Sequence, residues 1–240
     1  GWGEPLFLRD VWPDVRILTY AEFFYRSTGL DSGFDPEFQA SDLPARVATT
    51  ARRAHLLMAL QDADAALAPT AFQSMTFPEP LRSKIAVIHD GVDTDLLRPD
   101  PAARFHLPGG RVLRPGDEVL SFVARNLEPY RGYHVFLRAL PAVLAARPEA
   151  QVVIVGGDGQ SYGGPPESGT WKARFLAEVR DRLDMSRVHF PGRVPHAHFA
   201  ALMQVTRVHA YLSYPFVLSW SLIEAMAAGA LVVGSATAPV

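Results

Sequence analysis

Arg125 and Arg131 stand close together in the segment RNLEPYRG, directly after an apolar run that reads as a strand. Guanidinium forks neutralise and orient phosphates better than scattered lysines do. In an open α/β sheet, ligands gather at the carboxyl ends of the strands. The two arginines are thus candidates for phosphate contact, although in isolation the same pair reads as exposed loop residues. A second candidate lies in SYPFVLSWSLIEAMAAGALVVGS, residues 213–235, which reads as strand end, loop, helix and strand. Ser219 or Ser221 can cap that helix, which carries Leu222, Ile223, Ala225, Met226 and Ala227 and ends at Gly229. Free N–H groups and the positive end of the dipole make its start a place to hold a phosphate. Glu224 sits one turn in, where a carboxylate can reach a bound ribose. Ser221-x-x-Glu224 is equally a capping box, in which Glu224 folds back onto a backbone amide.

Other residues give weaker signals. Glu128, between the two arginines, can orient one of them or sit in solvent. Gly156-Gly157-Asp158-Gly159 lacks the full G-x-G-x-x-G and reads by itself as a tight turn. His196 and His198 are two apart, which directs them to different sides of a helix and is poor spacing for a metal pair. They read as surface histidines. Asp62-x-Asp64 and Asp93-x-Asp95 read as solvated or capping carboxylates, so no metal site is expected. Glu22 and Arg26 read as a surface pair beside the aromatic run YAEFFY, and His89 as solvated. With no G-x-S-x-G and no cysteine, a nucleophilic hydrolase is disfavoured.

Positioning these residues requires a scaffold, and the hydrophobic pattern describes one. Apolar runs at 15–19, 65–68, 85–88, 119–124, 152–155, 188–190, 208–211 and 231–233 read as strands. Stretches at 45–62, 71–75, 133–146, 171–183 and 196–203 read as helices, with a short one near the start stopped by Pro13. Asp42 or Ser41 can cap the helix at 45–62, whose stripe would be Val47, Ala54, Leu57, Met58 and Leu60, with Arg52 and Arg53 outside. Pro141 either kinks its helix or sits where the lost hydrogen bond is tolerated. Strands apolar on both faces, alternating with helices, mean parallel sheets covered by helices. The pattern divides into residues 1–92, a Pro/Gly/Arg-rich connection at 93–117, and residues 118–240.

Composition narrows the function classes. The 240 residues are 48% hydrophobic and 20% charged, with a net charge of -2. That balance gives no electrostatic case for nucleic acid. Zero cysteines exclude disulfides and thiolate metal sites and fit a reducing compartment. No apolar run reaches the ~18 residues of a membrane span, and no basic amphipathic helix argues for a membrane surface. The chain opens Gly1-Trp2-Gly3-Glu4 without a methionine, so a fragment is expected. Nothing in the sequence sets an oligomeric state.

SLIEAMAAGALVVGSATAPV resembles the donor-site segment of retaining glycosyltransferases of the GT-B fold, family four. HDGVDTDLLRP resembles the segment joining the two Rossmann-like domains of that family. The resemblance implies a GT-B type α/β fold, two Rossmann-like domains with parallel sheets, both incomplete here. It implies transfer of a sugar from a nucleotide-diphosphate sugar to a glycan, lipid-linked or small-molecule acceptor. Transfer would retain anomeric configuration, need no metal and no cofactor, and occur in the cytoplasm or at the inner face of a membrane. Arg125 matches the arginine of the family's diphosphate grip; Arg131 replaces its lysine at a spacing one residue longer. Gly157 falls in a wall of the donor cleft. FPGRVPHAHF places Arg193 and Val194 beside the base. The N–H groups around Leu218, Ser219 and Ser221 would stabilise the leaving diphosphate, and Glu224 would hold the ribose. The acceptor is expected near residues 1–4 and 20–25. The sequence departs from the family's E-x7-E at Phe216, where the first glutamate would fall, and so lacks the carboxylate aimed at the donor sugar. The alternative is a non-catalytic nucleotide-sugar-binding or partner protein. An epimerase would want more acid/base residues, and an NAD enzyme its full fingerprint.

Overall fold

The computed structural model describes residues 4–38 and 42–240. The expectations placed on Ser41 as a cap and on residues 1–3 as an acceptor edge lie outside these. The described chain divides into two units. One holds the residues up to Gly91 with Pro215–Leu218 and Thr237–Val240; the other holds Val92–Tyr214 and Ser219–Ala236.

The first unit runs α1 (Leu8–Val11), β1 (Leu18–Tyr20), α2 (Leu43–Arg52), α3 (Ala54–Asp62), β2 (Ala65–Ala68), α4 (Ala71–Thr76), α5 (Glu79–Arg82) and β3 (Ile85–Val87). The strands form a parallel sheet in chain order. β1 starts at Leu18 because Asp64 claims the preceding backbone: its carboxylate accepts the Ile17 N–H at 2.7 Å and pairs with Arg9 at 3.0 Å. These partners hold the Asp64 carboxyl below its ordinary pKa, so it is not merely a solvated carboxylate. Asp42 caps α2 by accepting the Ala45 N–H. The single helix expected at 45–62 is two helices, broken at Arg53, whose N–H turns back to the Thr49 and Ala51 carbonyls. The break resets the buried face. Leu56, Ala59 and Leu60 point inward, while Val47 and Met58 are exposed. Arg53 lies over the Phe24 ring at 5.9 Å instead of in solvent. Phe216 is buried in this unit, with its ring 4.7 Å from Phe23 and 6.0 Å from Tyr25.

The second unit begins at Val92 and takes in the whole stretch expected as a connection. β4 (Phe105–His106) and β5 (Val112–Leu113) form an antiparallel pair. Leu97, Phe105, Leu107 and Leu113 join Val153, Leu202, Met203 and Ala225 in its core. The Pro/Gly/Arg composition masked these anchors. There follow β6 (Val119–Asn126), α6 (Tyr133–Ala146), β7 (Gln151–Gly157), α7 (Trp171–Val179), β8 (Val188–Gly192), α8 (His196–Val205), β9 (Val208–Tyr211), α9 (Trp220–Ala227) and β10 (Leu231–Gly234). α6 runs through Pro141 without a break. The sheet order is β10-β9-β6-β7-β8, all parallel. β7 is buried from Gln151 to Gly156, as the double-sided apolar run requires. Each of its valines and its isoleucine contributes roughly 1.5–3 kcal/mol by leaving water. From β6 the chain winds one way to β7 and β8, then crosses to β9 and β10 on the other side. The switch point therefore falls between β6 and β9, and the crevice beyond their carboxyl ends is where this architecture binds ligands.

Candidate functional site

Beneath the switch point, Ser121 on β6 and His209 on β9 meet at 2.9 Å, both fully buried. Burial lowers the His209 pKa to about 4, so the imidazole is neutral and acts as a polar tie between the two strands.

Above it, the loop from β6 turns through Pro129–Arg131 into Gly132, which has φ +73°. A Cβ at Gly132 would overlap the Leu212 carbonyl, so only glycine lets the β6 loop lie on the β9 loop. Tyr214 N–H donates to the Tyr130 carbonyl at 3.0 Å, and the two rings pack at 5.0 Å. Arg131 Nη1 donates to Ser213 Oγ at 3.3 Å, and its guanidinium lies 5.1 Å from the centroid of the Tyr162 ring. Arg125 is exposed and belongs to the end of β6, not to the loop expected to carry it.

Glu128 is wholly buried. Its Oε2 accepts the backbone N–H groups of Ser161 at 2.8 Å and Tyr162 at 3.3 Å. Burial raises its pKa, opposed by those two amides and by the Arg131 and Arg125 charges. Sequence reasoning left this residue unassigned; the one available signal was a carboxylate set between two arginines. Asn126, also missed, is buried and joins three segments. Its Oδ1 accepts from Arg193 Nη2 at 2.9 Å and its Nδ2 donates to Ser161 Oγ at 2.7 Å. Gly157 makes this possible, because a Cβ there would stand 2.6 Å from Arg193 Nε and 2.7 Å from Asn126 Oδ1. The structure thus brings Gly157 and Arg193 together, while Val194 packs half-buried on the core.

Ser219 is the N-cap of α9, and its N–H donates to the Tyr211 hydroxyl at 2.8 Å. Its side chain makes no capping bond and lies 3.1 Å from Ser221 Oγ. Ser221 is inside the helix, so the Ser221–Glu224 capping box does not form. Glu224 instead meets His196 Nε2 at 3.1 Å. His196, read as a surface histidine, is exposed but engaged, with its ring stacked on Phe199 at 5.7 Å. Leu218 falls in the short segment assigned to the first unit and is not grouped with these residues. Among the described residues no group of three His, Asp or Glu side chains can hold a metal ion.

Residues 110–240 match the family described as glycosyl transferases group 1, and residues 1–97 match the glycosyl transferase family 4 group. The D-inositol 3-phosphate glycosyltransferase of Streptomyces coelicolor is 30% identical over 164 residues, 64% of this chain and 35% of that protein. The chain spans about a third of the length of the curated relatives it matches. An α,α-trehalose-phosphate synthase (UDP-forming) from Burkholderia xenovorans, solved with glucose-6-phosphate, superposes with a TM-score of 0.61 at 13% identity, covering 97% of this chain and 56% of that one. The catalytic domain of starch synthase IV from Arabidopsis thaliana, bound to ADP and acarbose, gives 0.59 at 17% identity, covering 98% and 54%. At these identities the likeness shows the fold, the parallel-sheet α/β arrangement of GT-B glycosyltransferases.

Proposed function

The chain belongs to the glycosyl transferases group 1 family, and on that premise we propose that it serves to move a sugar from a nucleotide-diphosphate sugar to an acceptor, with retention of configuration and without a metal. The observation that carries this reading is the arginine-bearing loop at the switch point, where Arg131 is held by Ser213 and the Tyr162 ring. As the bond to the donor sugar breaks, charge builds on the leaving diphosphate. A guanidinium fixed beforehand stabilises that charge without reorganising, with Arg125 at the strand end as the second cation. The first turn of α9, at Ser219 and Ser221, presents the positive end of its dipole to the same anion, and the Ser219 amide would exchange the Tyr211 hydroxyl for it. Glu224 accepts the ribose hydroxyls in exchange for His196. Gly157, Arg193 and Val194 line the base.

The relatives' names include an inositol phosphate, and one structural neighbour was solved with a sugar phosphate. A small phosphorylated polyol or sugar is therefore the first acceptor to test. A nucleotide-sugar donor and a chain without cysteine fit the cytoplasm. Separately, no helix among the described residues is long and apolar enough to cross a membrane. One observation favours a second reading, donor binding without turnover: the position of the first family glutamate is Phe216, buried against Phe23 and Tyr25.

Calorimetric titration with UDP, GDP and ADP, followed by an assay of donor consumption, tests both. Binding of one nucleotide with donor turnover supports transfer. Binding without turnover supports the second reading. A folded chain that binds none of the three overturns both.

A further inference from the structure

We propose that Glu128 is a positioning residue of this site: through the Ser161 and Tyr162 amides it fixes the Tyr162 ring against Arg131 and so sets that guanidinium for a ligand with two linked phosphates. The inference rests on the nucleotide-diphosphate reading above and adds a residue and a preference to it.

The geometry forms a continuous chain. Glu128 Oε2 accepts both amides. They belong to a stretch, residues 158–170, that contains no helix or strand. With no ladder to order that stretch, the side chains of β6 and its loop do so, Glu128 at the amides and Asn126 at Ser161 Oγ. The Tyr162 ring then stacks on Tyr130 at 5.4 Å and carries the Arg131 guanidinium at 5.1 Å. The same guanidinium donates from Nη1 to Ser213 Oγ. The second carboxylate oxygen, Oε1, is buried without a hydrogen-bond partner among the described residues. Burying it so is unfavourable. A loose arginine must give up side-chain freedom when it grips a phosphate, and the arrangement removes that loss in advance. Glu224 and Arg193 meet other parts of a nucleotide, so the effect of Glu128 should fall on the diphosphate and spare the nucleoside.

The test is calorimetry of the full chain with UDP and UMP, and with ADP and AMP, for wild type, Glu128→Ala, Glu128→Gln, Tyr162→Ala and the Glu128→Ala/Tyr162→Ala double variant. Glu128→Ala is expected to weaken diphosphate binding by about tenfold or more, as loss of an ordered charge-assisted contact does, while the monophosphate stays within about threefold. Glu128→Gln should restore most of the loss, since its amide oxygen accepts the same two N–H groups. The double variant should be no weaker than either single one, because both act through the same ring. Equal losses of mono- and diphosphate, additive losses, or wild-type binding by Glu128→Ala each overturn the proposal. If Glu128→Ala does not fold, Tyr162→Ala carries the comparison, and equal mono- and diphosphate losses there overturn it. Amide exchange separates this inference from the functional reading. Faster exchange at Ser161 and Tyr162 in Glu128→Gln or Glu128→Ala supports the hold, and unchanged exchange in both overturns it. A wild type that binds no nucleoside diphosphate while Glu128 still protects those amides removes the functional reading, and with it the diphosphate preference, but leaves the hold standing.

Discussion

On the β6 side of the switch point Glu128 and Asn126 are buried and cross-tied. Glu128 and Asn126 each reach into the stretch after β7, and Arg131 lies between Ser213 and Tyr162. On the β9 side Glu224 meets His196, a side chain 58% exposed, and the cap of α9 makes no side-chain bond. The first arrangement cannot shift without breaking several contacts. The second can exchange its partner with little loss. A group that must meet charge developing in a reaction gains from being fixed beforehand; a group that accepts hydroxyls of an arriving ligand gains from a weak, replaceable partner.

Gly132→Ala should break this contrast most severely. The added Cβ overlaps the Leu212 carbonyl in a backbone conformation that suits glycine, so a loss of about 3–5 kcal/mol is expected from combined overpacking and backbone strain. Urea unfolding measures it, and a loss below about 1 kcal/mol would mean the two loops are not rigidly joined.

The shared foundation is tested by pH. The folded chain holds His209 at about 4, against 6.5 for an unperturbed histidine. Between these values the unfolded chain takes up the proton and the folded one does not. Stability should therefore fall by about 3 kcal/mol as pH drops from 6.5 to 4, and this contribution should be flat above that range. His209→Asn should remove the slope. Glu128 acts in the opposite sense. Its carboxyl is raised, so its contribution is complete below the unfolded carboxylate pKa and declines as pH rises through the folded one. A reversed slope in the His209→Asn variant would expose it.

Glu224→Ala sharpens the comparison on the β9 side. Nucleotide affinity should fall by about 1–3 kcal/mol, the usual loss when a hydrogen-bonded charge is removed. The urea midpoint should hardly move. A large fall in stability with unchanged affinity would return Glu224 to a structural role. The smallest effect is expected from His196→Ala. An exposed pair of this kind contributes under about 1 kcal/mol, so nucleotide binding measured by calorimetry should change little. A loss as large as that of Glu224→Ala would show that His196 is part of the grip and not its placeholder.

Much of the fold was legible because its determinants are local. The apolar runs gave α6 at Tyr133–Ala146, β2 at Ala65–Ala68 and β9 at Val208–Tyr211 with their observed limits. Double-sided burial of β7 followed from its composition alone. Periodicity failed at Arg53, where carrying one helical phase across a break placed Val47 and Met58 inside. It failed again at 93–117, where a few core anchors were diluted by Pro, Gly and Arg.

The sequence by itself determined that strands and helices alternate, that two arginines stand close together in RNLEPYRG, and that a carboxylate sits early in α9. It could not say what those side chains meet. Glu128 finds its amides 33 and 34 positions away, Glu224 finds His196 28 away, and Ser121 finds His209 88 away. Backbone periodicity reports which face of an element is apolar. It carries no term for contacts at such separations, which exist only once parallel strands place β6 between β7 and β9. The choice between a capping box and a pairing with His196 at Glu224, and between solvent and full burial at Glu128, was made by the tertiary structure.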